Sequence, residues 1–466
     1  MQLHPWQLPL SALEHGAFVG FGLLTYILVT RIGHQRRSPS AAIAWVIGIA
    51  AFPYLGIPLF LLFGTRKFVR PAHVIHAPKL SGLTVDAPPW ATRLLDGLGL
   101  ACPVDNQSVA FHADGLQAFQ ALIDLFDRAQ HSLEVCTFLI ADDKVGNGVC
   151  DALIAAAHRG VRTRLLLDWV GTMKTPPRLL NRLKTGGVEV RRFMPLLHNP
   201  TRGKSNLRNH RKLVVADKAW LWSGGRNLAD EYFLGQKGQA AWTDLSFVVQ
   251  GLVAVQAALQ FEQDWALAGT HRPMHLPATP RPELNPGAHC LAQWIPSGPD
   301  HAQDTVHALL MAGAYHAVDR LLAVTPYFVP DEALLDAWCM ACRRGVQVRL
   351  VIPQRSNHRM ADWARERALR QLVEAGAQVF MTRTMIHAKA VVIDHDLALC
   401  GSVNLDGRSL FLNFEVMTAF YGATEVRWLA DWINEQTNQA VTYRAQQPPW
   451  WRDLAEGLVR AVGFQL

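Results

Sequence analysis

His210, Lys212 and Asp217 form a triplet that returns, with the same internal spacing, as His387, Lys389 and Asp394. At an equal interval after each aspartate comes a glycine-led turn ending in asparagine: Gly224-Gly225-Arg226-Asn227 and Gly401-Ser402-Val403-Asn404. These residue types suit phosphoryl transfer. A neutral imidazole can attack phosphorus, a lysine can hold a non-bridging oxygen as a point charge, and an asparagine amide can donate to another. Two such sets face to face supply a nucleophile, a general acid and phosphate donors in Lys212, Lys389, Asn227 and Asn404. Whichever histidine attacks, the opposite one, protonated, donates to the departing alkoxide, so the reaction runs as two displacements through a phosphohistidine. Ser402 adds a hydroxyl able to reach the phosphate where the first copy has Gly225, so the half-sites are expected to be unequal. The scheme needs no cofactor, and no His/Cys cluster has metal-ligand spacing.

A histidine and a lysine two residues apart share one face of an extended chain. Leu213-Val214-Val215-Ala216 and Ala390-Val391-Val392-Ile393 follow the two lysines, which places each triplet on a strand. Asp217 and Asp394 complete the catalytic triplets. Their odd offset from the histidine falls where the strand ends, so they are expected to tie down structure more than to touch substrate. Around these strands each half repeats one order of helices and apolar strands. The joints match as well: Arg159-Gly160-Val161 answers Arg344-Gly345-Val346, and Gly187-Val188 answers Gly376-Ala377. Glycine just past a helical run suits a left-handed cap. The pattern predicts an α/β fold of two duplicated sandwich domains rather than a solenoid. The expected boundaries are a membrane anchor over 1–70, a connector over 71–110 and a first domain over 111–268. A Pro-rich linker over 269–289, a second domain over 290–430 and a tail over 431–466 follow, with an amphipathic helix in the tail.

Half of the 466 residues are hydrophobic, 15 are tryptophan, and the net charge is +7. That balance favours an anionic partner, nucleic acid or an acidic membrane surface. Two apolar runs decide for the membrane. Leu13 to Thr30 is about long enough to span, and Ala41 to Phe63 carries Pro53, Gly56 and Pro58 near its centre, which predicts a kinked helix or a re-entrant hairpin. Basic residues flank the second run on both sides: Arg31, Arg36 and Arg37 before it, Arg66, Lys67 and Arg70 after it. A span plus a hairpin keeps both clusters inside, with a cytoplasmic catalytic part. Seven cysteines at irregular spacing argue against a disulfide framework. Cys339 and Cys342 lie in a helical run and read as ordinary buried thiols.

The paired triplets, with Asn206-Leu207-Arg208-Asn209 before the first and Leu228-Ala229-Asp230-Glu231-Tyr232 after its turn, resemble the phospholipase D superfamily. Thr325-Pro326-Tyr327-Phe328-Val329-Pro330 and Leu412-Asn413-Phe414-Glu415-Val416 narrow the resemblance to bacterial cardiolipin synthases, over most of residues 38 to 430. It implies two phospholipase D-type domains related by a pseudo-twofold axis, and transfer of a phosphatidyl group from one phosphatidylglycerol to another with release of glycerol. It also implies that Asp244 and Glu415 orient the histidines, that His210 is the nucleophile and His387 the acid, and that the enzyme works at the bacterial inner membrane. Arg202, Lys204, Arg208 and Arg211 are candidates for holding the second anionic lipid. Nucleic acid is not an expected partner, and the sequence leaves the oligomeric state open. A membrane phospholipase D or a phosphatidylserine synthase would use the same site, and the basic charge alone would also suit a nuclease.

Overall fold

Consecutive rather than alternate apolar residues build the centre of the molecule. Leu165, Leu166 and Leu167 are all fully buried, Leu165 and Leu167 in one core and Leu166 in another. Such strands must be covered on both faces, which is the arrangement of an α/β layer structure. The computed structural model describes residues 12–32, 39–64, 87–194, 206–236, 238–269, 290–450, 452 and 456. Arg202, Lys204, nearly all of the Pro-rich linker, the basic flanks at 36–37 and 66–70 and most of the tail helix lie outside the described residues.

The chain begins with α1 (Ala12–Ile32), α2 (Pro39–Ala51), α3 (Pro53–Phe63) and α4 (Pro89–Gly97). The first half then runs β1 (Val104–His112), α5 (Gly115–Arg128), β2 (Ser132–Thr137), α6 (Lys144–His158), β3 (Arg162–Asp168), α7 (Pro177–Thr185) and β4 (Glu189–Phe193). It closes with β5 (Leu213–Ala216), β6 (Trp220–Gly224), α8 (Asp230–Phe233), β7 (Ser246–Gly251) and α9 (Leu252–Ala268). The second half runs β8 (Cys290–Ser297), α10 (Thr305–His316), β9 (Arg320–Val324), β10 (Phe328–Val329), α11 (Glu332–Arg343), β11 (Gln347–Pro353), α12 (Arg359–Ala364), α13 (Glu366–Glu374) and β12 (Gln378–Thr382). It ends with β13 (Ala390–Ile393), β14 (Leu397–Gly401), β15 (Leu405–Asp406), α14 (Gly407–Phe411), β16 (Glu415–Phe420), α15 (Ala423–Thr437) and β17 (Val441–Thr442).

One 15-stranded sheet carries both halves, in the order β17-β12-β11-β9-β13-β14-β16-β8-β1-β7-β6-β5-β2-β3-β4. Reading outward from the β8–β1 seam, β1-β7-β6-β5-β2-β3-β4 matches β8-β16-β14-β13-β9-β11-β12, which is the expected duplication seen as topology. The seam is antiparallel, with Val104 opposite Ala292. The halves are therefore joined through the backbone ladder, not merely packed together. α9 and α15 cover one face of the sheet around a core shared by both halves, with Phe261, Trp265, Leu429 and Ile433 among its members.

Three details depart from the expected boundaries. Residues 87–112 are not an irregular connector: α4 opens with proline in its first turn and buries Ala91 and Leu95 in the core of the second half, and β1 starts at Val104. α15 runs through position 430, and β17 pairs antiparallel with β12. The second apolar run is broken at Phe52 into α2 and α3, which fold back on each other. Trp45 and Phe60 have ring centroids 5.3 Å apart, and a Cβ at Gly56 would lie 2.8 Å from the Gly48 carbonyl oxygen. Among the described residues no helix is long and apolar enough to cross a membrane.

Candidate active site

Both His-x-Lys pairs lie one step upstream of the strands on which they were expected, in extended segments leading into β5 and β13. They are extended because each is zipped to a segment of the opposite half. The His210 amide donates to the Phe414 carbonyl at 2.8 Å, and the Phe414 amide donates back to Arg208 at 2.9 Å. In the mirror position, the His387 amide donates to the Thr243 carbonyl at 2.7 Å, and the Thr243 amide to Met385 at 2.9 Å. The residue after Phe414 is Glu415 and the residue after Thr243 is Asp244, so each carboxylate arrives at the other half's imidazole. His210 Nδ1 is 3.1 Å from Glu415, and His387 Nδ1 is 2.7 Å from Asp244 Oδ2. A carboxylate on Nδ1 fixes the ring and leaves Nε2 as the reacting nitrogen.

The two pairs are built differently. Glu415 is wholly buried and accepts from Ser402 Oγ at 2.5 Å, Ser409 Oγ at 2.9 Å and Asn413 Nδ2 at 3.2 Å. Ser402 was expected to reach toward substrate. It instead donates to Glu415 and accepts from the Val416 amide, so its hydroxyl braces the carboxylate that meets His210. Asp244 is shorter and accepts from the Leu245 amide at 2.7 Å. A Cβ at Gly225 would stand 2.2 Å from Asp244 Oδ1, so the first half has glycine where the second has Ser402 because the carboxylate fills that space.

Asn227 and Asn404 are buried, and among the described residues the Oδ1 of each has no hydrogen-bond partner. Asn227 Nδ2 donates to Tyr232 Oη at 2.9 Å. Lys212 Nζ donates to the His210 carbonyl at 2.9 Å. Lys389 Nζ donates to the His387 carbonyl and lies 2.9 and 3.0 Å from the two ring nitrogens. Burial pulls the Lys389 ammonium down to about 7 and Lys212 down to about 8, against the opposing pull of Asp244 and Glu415. Burial and then the Lys389 charge push His387 down to about 3, while burial lowers His210 despite Glu415. Burial alone would raise both carboxyls, but the paired histidine, and after it the neighbouring lysine, hold Glu415 and Asp244 below the ordinary range. The resting site thus holds two neutral imidazoles on two carboxylates.

Aromatic walls complete the site. Phe138 meets the His210 ring at 5.2 Å, and Tyr232 and Trp242 meet the His387 ring at 5.0 and 5.7 Å. Nothing in their spacing marks these residues for a role, since an aromatic near a motif is ordinarily core. Only the position of Tyr232, five residues after Asn227, could have drawn attention to it.

Asp217 and Asp394 face away from this chemistry. Asp217 accepts from the amides of Gln130, His131 and Ser132, and Asp394 from those of Val318, Asp319 and Arg320. Both have positive φ, 52° and 49°, a conformation that aspartate tolerates. Expected among the catalytic residues, both are instead strand-end clamps. Replacing Asp217 by alanine is expected to lower unfolding free energy by about 2–4 kcal/mol, through lost amide partners and backbone strain. Activity per folded molecule should stay within about threefold, measured by denaturant titration beside a rate assay. Arg211 is likewise removed from lipid binding: it is fully buried on Asp264 and Asp300. Arg208 is buried, 3.5 Å from Asp168.

Comparison with known proteins shows the family. The family pattern described as "Cardiolipin synthase, PLD-like domain" matches residues 122–265 and 312–437, and "Phospholipase_D-nuclease N-terminal" matches 21–64. The chain is 29% identical to the major cardiolipin synthase ClsA of Bacillus subtilis, over 97% of this chain and 99% of that one. It is 32% identical to cardiolipin synthase A of Pseudomonas aeruginosa, over 89% of this chain and 88% of that one. Among solved structures, a phosphatidylserine synthase of Haemophilus influenzae superposes with TM-score 0.61 at 15% identity. It covers 81% of this chain and 100% of its own, a likeness of fold.

Proposed function

The chain belongs to the cardiolipin synthase family of phospholipase D-like proteins, and from that premise we propose that it joins two phosphatidylglycerols at the paired histidines. His210 Nε2 attacks the phosphorus of the first lipid in line, and the P–O bond to its terminal glycerol breaks. The alkoxide leaves with a proton from His387, giving glycerol and a phosphatidyl-histidine. The glycerol hydroxyl of a second phosphatidylglycerol then gives its proton to His387 and attacks phosphorus. Cardiolipin forms and His210 is released. Lys212, Lys389, Asn227 and Asn404 hold the non-bridging oxygens, the Asn227 amide exchanging its bond to the Tyr232 hydroxyl for one to phosphate. His387 is neutral at rest, and an arriving phosphate anion raises its proton affinity. The observation that carries this reading is the crossed pairing of Glu415 with His210 and Asp244 with His387, which brings one oriented imidazole from each half.

Purified protein in phosphatidylglycerol vesicles tests it. Cardiolipin with an equivalent of free glycerol is expected, whereas phosphatidic acid as sole product rejects the reading in favour of hydrolysis.

The pH dependence follows from the lysines. Both must be charged to hold phosphate, and each is charged below its own pKa. With Lys389 near 7 and Lys212 near 8, kcat/KM is expected to fall as pH rises through 7 to 8. The acid limb lies below the ordinary histidine range, because His210 is lowered and the attacking ring must be neutral. A profile flat from pH 6.5 to 9 contradicts this assignment.

The N-terminal helices suit a membrane anchor. Phe21, Ile47, Phe52 and Leu55 are all more than half exposed to solvent in the isolated chain, an apolar surface that asks for lipid. α2 and α3, of 13 and 11 residues, measure about 20 and 17 Å and are too short to cross singly. Tyr26 meets Phe60 and Phe18 meets Tyr54, so α3 runs parallel to α1 and ends beside its C-terminal end. This supports both basic flanks on one, cytoplasmic, face of the inner membrane. Cysteines introduced at Arg36 and Phe68 should be labelled from the same side.

A further inference from the structure

The reacting edge of the sheet carries exposed apolar side chains that nothing among the described residues covers. His210 lies beyond the C-terminal end of β2, since Cys136 pairs with Leu213, and His387 lies beyond that of β9, since Val324 pairs with Ala390. The turns that follow the neighbouring strands β3 and β11 flank these positions. In the first turn Gly171 lies against the Phe138 carbonyl, whose own ring touches His210. Two residues on, Met173 is 61% exposed. In the second, Asn357 bonds the Tyr327 hydroxyl and His358 packs on its ring at 5.4 Å. Tyr327 is the counterpart of Leu139, the residue after Phe138, because Thr325 and Thr137 donate to their carbonyls in the same way. α12 then packs Ala361 and Ala364 down with Val329 and turns Met360 and Trp363 outward, 50% and 49% exposed. Exposed cations accompany each lip, Lys174 beside Met173 and Arg355 and Arg359 beside Met360.

We propose that these two lips form one rim that rests on an anionic lipid bilayer, with Met173, Met360 and Trp363 entering the acyl layer and Lys174, Arg355 and Arg359 meeting the headgroups. The occupant is a lipid surface because an exposed apolar tip sits beside an exposed cation on both lips, as in interfacial segments. The lips also stand over the two imidazoles, so a lipid phosphodiester rises into the cleft without leaving its membrane. The rim extends the reading of the site as a lipid phosphatidyltransferase and rests on it.

The test compares full-length wild type with a Met173→Ala, Trp363→Ala double variant on two substrates. One is long-chain phosphatidylglycerol in vesicles, and the other is short-chain phosphatidylglycerol dispersed as monomers. The double variant should consume vesicle lipid about tenfold or more slowly than wild type, and monomeric lipid within about twofold. Val318→Ala, 82% exposed at the opposite end of β9, should change neither. Monomer activity doubles as the control for folding. Equal losses on both substrates, or an undiminished vesicle rate, overturn the rim. So does a changed sedimentation coefficient in the variant with the vesicle rate kept, which assigns the surface to a second copy of the chain. Product identity separates the two ideas: phosphatidic acid from the wild type removes the transferase reading, while the ratio of vesicle to monomer consumption still decides the rim.

Discussion

A His210→Asn protein is expected to lose cardiolipin formation by about four orders of magnitude or more, since no other group in the site can carry the phosphatidyl chain. His387→Asn should fall about as far on phosphatidylglycerol, for a different reason, and the leaving group separates the two. Glycerol leaves as a strongly basic alkoxide and needs the proton that His387 supplies. A 4-nitrophenyl phosphatidyl ester does not, because nitrophenolate is already a stable anion. His387→Asn should therefore release one equivalent of nitrophenolate and stop, holding a phosphatidyl-enzyme that no base can discharge. His210→Asn should show no burst. The reverse outcome assigns nucleophilic attack to His387, and the absence of a histidine-linked species in either protein removes the two-displacement scheme.

The second large effect comes from the crossed carboxylates. Glu415→Gln places an NH₂ group among donors that all point inward: the Asn413 amide, the His210 Nδ1–H and two serine hydroxyls. At least one buried donor then meets another donor, and the imidazole loses the anion that holds its ring. About 10²–10⁴-fold in rate is the scale for removing such a carboxylate. The step that slows tells which histidine each acid serves. With the nitrophenyl ester, Glu415→Gln should slow the burst, which is attack by His210. Asp244→Asn should leave the burst within about threefold and slow the turnover that follows, which needs His387. If Glu415→Gln slowed only the later phase, each acid would serve its own half and the crossing would be wrong.

The parts of this site that are local in sequence were legible there. The His-x-Lys spacing needs only an extended chain, the apolar runs after each lysine need only burial on both faces, and the duplicated joints repeat letter by letter. Asp217 and Asp394 could be doubted as catalytic from offset alone, and they clamp strand ends. The broken second apolar run was visible in Pro53, Gly56 and Pro58 before α2 and α3 folded back on each other.

Other assignments depended on which segment meets which, and no period in the chain encodes that. Asp244 and Glu415 were identifiable as acids that orient histidines, but His387 finds Asp244 across 143 positions and His210 finds Glu415 across 205. Ser402 has the chemistry of a phosphate donor and lost that role to a buried carboxylate three ångströms or less away. Arg211 reads as a basic surface residue until Asp264 and Asp300 close around it. α4 looks like linker because its core partners lie far along the chain, in α10 and the rest of the second core. Residue type and spacing set the reaction this protein can perform. The antiparallel seam between β1 and β8 decides which acid serves which histidine, because hydrogen bonding along one shared sheet fixes the register of two halves that the sequence only shows to be alike.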